Sequence, residues 1–105
     1  MADPSWRPLR TTPNFPEYPS AHACHSTAVV EALDAFFGTD KVPSSLDSRV
    51  TGTTREYDRL QDVVKDVDWA RVLSGFHFRN SDLQGSNLGR TVGRYIVEHF
   101  FQPLG

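Results

Sequence analysis

Apolar positions along this chain recur at three- and four-residue spacing, the period of a helix. From Ala21 to Phe37, the residues Ala28, Val29, Ala32, Leu33 and Phe36 fall on one face, with His22 and His25 at its N-terminal end. Ser20 suits the start of this helix, because its side-chain oxygen can accept from a first-turn amide. Gly38 suits its end. A second helix is expected from Arg55 or Tyr57 to Ser74, with Leu60, Val63, Val64, Val67, Ala70 and Ser74 on its apolar stripe and Gly75 as the stop. A third is expected from Ser81 to Phe101, carrying Leu88, Val92, Ile96 and Phe100 at four-residue steps. Gly85, Gly89 and Gly93 share that spacing. Each glycine weakens an isolated helix by about 1 kcal/mol relative to alanine, so a stripe of them predicts close approach by another helix. Strand-like alternation is absent, and residues 39–56, with Pro43-Ser44-Ser45 and Thr51-Gly52-Thr53-Thr54, read as a loop. The expected fold class is all-α, a bundle of about three helices.

Length and charge narrow the picture. The 105 residues form one domain, 1–105. Its first twenty residues hold Pro4, Pro8, Pro13, Pro16 and Pro19, which makes 1–20 an extended lead-in. Apolar runs stop at three residues, as in Ala28 to Val30, whereas a membrane span needs roughly 20. Net charge is -2 and lysine occurs only at Lys41 and Lys65, which argues against nucleic acid as a partner. The stretch Met1 to Trp6 has neither a basic nor an apolar region of the kind a signal peptide needs, and no compartment is indicated. Cys24 is the sole cysteine, so no internal disulfide can form. On a helix it points away from His22, which removes it from a zinc set with His22 and His25.

Three features carry candidate chemistry. Arg71 lies in the middle of the second helix's apolar stripe, between Val64 and Val67. A buried guanidinium needs a partner; an acidic side chain would serve, and so would an oxyanion matched to its planar fork. Pro19-Ser20-Ala21-His22 stands at a helix start, where free amides and the helix dipole favour negative charge. His22 adds a group able to exchange a proton near neutral pH. His77 follows Arg71 by six residues, and Gly75 between them lets the chain turn so that both aim at one point.

Together these features resemble the C-terminal part of the type-2 phosphatidic acid phosphatase and vanadium-dependent haloperoxidase superfamily, which implies the C-terminal half of a helical domain of that type. Pro19-Ser20-Ala21-His22 is similar to its P-S-G-H motif, and Arg71-Val72-Leu73-Ser74-Gly75-Phe76-His77 to its R-x5-H motif. Asp3-Pro4-Ser5-Trp6, Phe15-Pro16-Glu17-Tyr18-Pro19 and Gly75-Phe76-His77-Phe78-Arg79 resemble the soluble haloperoxidase-like branch. The resemblance implies an enzyme of phosphomonoester hydrolysis, or of peroxide-dependent halide oxidation with bound vanadate. Its partners would be a small anionic substrate, or halide and peroxide. His77 would then be the nucleophile or the vanadium ligand, and His22 the general acid/base. Ser20, the Ala21 amide and Arg71 would hold oxyanion oxygens.

The chain departs from the family pattern at several positions. Ala21 replaces glycine and Ala70 replaces the usual serine. The carboxylate expected four residues after His77 falls on Ser81, so Asp82, one position later, becomes the candidate orienter of His77. The family's earlier K-x6-R-P motif has no counterpart: Trp6-Arg7-Pro8 imitates its end, but the lysine position would precede Met1. A rival reading follows, in which the chain is a non-catalytic remnant or a helical interaction module. In that reading an oligomer or a second chain supplies the missing helices.

Overall fold

The computed structural model describes residues 2–104. Helix α1 spans Ala21–Phe37, α2 spans Leu60–Leu73 and α3 spans Arg79–His99. A hairpin of β1 (Ser44–Ser48) and β2 (Thr53–Tyr57) lies between α1 and α2. The fold is a three-helix arrangement with this small sheet attached.

Helix α1 has the expected bounds. The Ala23 amide donates to the Ser20 hydroxyl oxygen, and Gly38 takes the left-handed conformation that a C-terminal stop requires, with φ of 70°. The hairpin corrects the expected loop. Ser44 to Ser48 pair antiparallel with Tyr57 to Thr53 in one continuous register. Its strands are serine- and threonine-rich and almost wholly exposed, so no alternation of apolar and polar residues announces them. Because Thr53 to Tyr57 are used as strand, α2 begins at Leu60, later than the periodicity predicts. Helix α3 starts two residues earlier than expected, at Arg79.

The glycine stripe is the seam between α1 and α3. A side chain at Gly85 would collide with the Ser20 carbonyl, one at Gly89 with the Cys24 carbonyl, and one at Gly93 would lie 2.9 Å from the Ala28 carbonyl. Small residues thus let the two backbones touch. Beyond the seam, Arg90 and Arg94 each reach a Glu31 carboxylate oxygen at 3.3 Å, joining α3 to α1.

This seam decides which face of each helix is buried. On α1 the buried residues are Ala23, Thr27 and Val30, while Val29, Leu33 and Phe36 of the expected apolar face are exposed, Phe36 by 81%. On α3 the buried set is Ser81, Asp82, Gly85, Ser86, Gly89 and Gly93, and Leu88, Val92 and Ile96 face outward. Backbone proximity at the glycines outweighs burial of the larger apolar side chains, because those side chains cannot fit in the seam. The conventional core is small: Val30 from α1 meets Leu60 and Val64 from α2, with Val42 alongside.

The proline-rich lead-in lies across the turn between α2 and α3. The Leu9 amide donates to the Ser74 carbonyl at 3.1 Å. Gly75, with φ of 78°, lies beneath the Trp6 ring, which a Cβ there would approach to 3.0 Å. Left-handed backbone and an indole lid both call for glycine at this position.

Candidate functional site

The site forms where the end of the lead-in, the start of α1 and the α2–α3 turn converge. Gly75 reverses the chain after α2, and the reversal brings His77 back onto Arg71. Arg71 Nη2 lies 3.3 Å from His77 Nε2. On the other edge of the ring, Nδ1 lies 2.6 Å from the Glu17 carbonyl oxygen. A carbonyl only accepts and a guanidinium only donates. His77 is therefore the tautomer with hydrogen on Nδ1 and, on Nε2, a lone pair that accepts from Arg71. The residue is 6% exposed.

Phe15 fills the middle of the site. Its ring stacks on His77 at 6.3 Å between centroids, meets His22 at 5.8 Å and receives the Arg71 guanidinium at 5.6 Å. The same guanidinium lies over the Phe76 ring, at 4.6 Å. Arg71 is half-buried against two aromatic rings, contacts that stabilise a cation. No ion pair to Arg71 occurs among the described residues, and its Nε is buried without an acceptor. Of the two partners weighed for Arg71, the acidic side chain is thus not the one found. Arg71 thus keeps an orphaned buried donor beside His77 and near the N-terminus of α1.

Ser20 is wholly buried and serves as the cap of α1; its own amide donates to the Ser81 carbonyl at 3.0 Å. Ala21 begins the helix, and first-turn amides have no intrahelical acceptor. His22 is exposed at the mouth. Burial of its ring, then the nearby charges of Arg71, His77 and His25, lower its pKa from the ordinary histidine value, with Asp82 opposing. The shift favours the neutral imidazole, the form able to take a proton.

Asp82 was the candidate orienter of His77, but the Nδ1 hydrogen bond goes to Glu17 instead. Asp82 is 2% exposed, and neither carboxylate oxygen has a hydrogen-bond partner. Burial raises its pKa, tempered by the neighbouring Ser20 hydroxyl and the charges of His77 and Arg71. Glu17 carries no role in the motif reading. Its position in Phe15-Pro16-Glu17-Tyr18-Pro19, directly before the helix start, was the available signal. Its carboxyl is held below the usual range by the Ser81 hydroxyl above all, against a burial cost, with the Phe78 amide and His77 adding to the effect.

Asp68 on α2 faces the same buried region. Burial, then repulsion from Asp82, pushes its pKa up to about 6, although the Ser86 hydroxyl donates to it at 3.4 Å. A carboxyl that titrates higher in the folded chain than unfolded binds its proton more tightly when folded. Its stabilising contribution is complete below the unfolded pKa and is lost as pH rises through about 6. Asp68→Asn is expected to lose less stability than the unaltered chain between about pH 4 and pH 7. Urea melts across that range measure it.

Residues 1–104 match the model of the VCPO second helical-bundle domain. The chain belongs to that family and is a haloperoxidase-like helical domain. A solved structure of a bacterial vanadium-dependent iodoperoxidase superposes with a TM-score of 0.84 at 29% identity, covering 92% of this chain. The match spans 24% of the iodoperoxidase chain. No curated protein matches.

Proposed function

We propose that this domain supplies the histidine face of an oxyanion site in a vanadate-using haloperoxidase. The observation that carries the reading is His77. Its Nδ1 hydrogen is spent on a main-chain carbonyl, and its unprotonated Nε2 faces a guanidinium that makes no ion pair among the described residues. Similarity to an iodoperoxidase favours halide oxidation over phosphomonoester hydrolysis, which would use the same cage.

Bound vanadate would supply activation of peroxide toward halide. His77 presents a lone pair to the anion and is kept in that tautomer by Glu17. Arg71 turns its fork from Nε2 onto the anion's oxygens, where each charge-assisted bond contributes about 1.5–3 kcal/mol. The Ala21 amide, at the positive end of α1, points donors the same way. The Ser20 hydroxyl serves mainly to fix that helix end. His22, neutral and exposed, accepts a proton at the mouth and returns it. Phe15 keeps water from the face of His77.

One observation also favours the rival reading, a module working with further helices. Val29, Leu33 and Phe36 of α1 and Leu88 and Val92 of α3 form exposed apolar faces on either side of the seam. Additional helices seated there, from an oligomer or a second chain, would carry further cations to the anion. Titration with orthovanadate, followed by calorimetry, tests the proposal. One saturable site per chain is expected, with competition by phosphate. Linear, unsaturable heats from a folded chain would leave only the helical module.

A further inference from the structure

We propose that Glu17 is the positioning residue of this site, a two-point strap whose main-chain carbonyl holds the His77 ring and whose carboxylate holds the turn that carries it. The inference rests on the reading that Nε2 of His77 faces the anion, and it explains what keeps it there.

Glu17 lies in a segment without secondary structure, between Pro16 and Pro19. Neither strand ladder nor helix fixes the direction of its carbonyl. Yet that carbonyl determines which nitrogen of His77 carries the hydrogen, through the 2.6 Å contact to Nδ1. Something else must hold the segment in place. The Glu17 side chain does so by reaching the chain one residue past the histidine, where the Phe78 amide donates to Oε1 at 2.8 Å. Oε1 also lies 3.6 Å from Nδ1, on the same edge of the ring.

Phe78 is the N-cap residue of α3, and no side chain of its own turn caps that helix. In an ordinary capping box a glutamate within the first turn returns to the N-cap amide. Here Glu17 performs that task from a distant segment. Its carboxylate thus ties α3's start to the lead-in, while the bond from the Ser20 amide to the Ser81 carbonyl, 3.0 Å, ties the next turn of α3 to α1. The two ties set the separation of His77 from the α1 N-terminus. Because the carbonyl and carboxylate belong to one residue, a loosened side chain also loosens the carbonyl that selects the tautomer. Groups of this kind, which orient a ligating histidine through its second nitrogen, commonly change affinity by about 10–100-fold when removed.

The variants Glu17→Gln and Glu17→Ala separate this strap from a general structural role. Glutamine keeps an oxygen that can accept from the Phe78 amide; alanine does not. Two readouts apply to the full chain: long-range proton–nitrogen spectra, which report the His77 tautomer without any ligand, and the dissociation constant for orthovanadate. Glu17→Ala is expected to convert the single Nδ1–H tautomer to an averaged signal and to weaken vanadate by about tenfold, with helix content unchanged by circular dichroism. Glu17→Gln is expected to restore both. The strap is overturned if alanine leaves tautomer and affinity unaltered, or if glutamine is as damaging as alanine. Should the unaltered chain bind no vanadate, the functional reading fails, and the tautomer spectra still decide the strap.

Discussion

Gly89→Ala is expected to destabilise the chain by about 3 kcal/mol or more, although alanine is the better helix former by about 1 kcal/mol. The added methyl would enter space held by the Cys24 carbonyl and approach the Ala28 amide to 3.1 Å. Both obstacles are main chain, so no side-chain rotation relieves the clash; α1 and α3 must separate. Separation also pulls Arg90 and Arg94 from Glu31 and opens the cap around Ser20. Domains of this size have only about 5–15 kcal/mol of total stability. A fall in melting temperature of more than about 10 °C is therefore expected, and Gly85→Ala combined with it is expected to prevent folding. Thermal melts followed by circular dichroism give the answer, and an unchanged midpoint would mean that the helices are not in backbone contact.

The second large effect is expected at Arg71. Removing its guanidinium deprives the anion of a charge-assisted fork, worth about 1.5–3 kcal/mol, or about 10–100-fold in affinity. Arg71→Lys is the more informative change. Lysine keeps the charge, but loses the fork and the planar group that lies over the Phe15 and Phe76 rings. The vanadate dissociation constant of Arg71→Lys is expected to lie near that of Arg71→Ala. Full retention of binding by lysine would show that Arg71 contributes only a point charge.

Some of this architecture could be read directly from the chain. The Ser20 start and Gly38 stop of α1 depend on interactions within a few residues, so local rules suffice. The glycine stripe predicted a close helix contact because nothing else rewards three glycines in a helix. The meeting of Arg71 and His77 followed from a glycine placed between them. Other features were hidden for physical reasons. The hairpin has no buried face, hence no period-two signature. Periodicity identified the apolar faces of α1 and α3, but periodicity alone does not say whether an apolar face is covered. Val29, Leu33 and Phe36 show that here the small-residue face decides the packing. Glu17 escaped notice because its function depends on contacts sixty and sixty-one residues away in the chain, to His77 and Phe78.

In the proposed site a single atom is decisive, Nε2 of His77. Calorimetric titration of orthovanadate into the unaltered chain and into His77→Ala tests it most directly. One saturable site is expected in the first and its loss in the second, with both chains equally folded by circular dichroism. Equal binding by the two chains, or none by the unaltered chain, would contradict it.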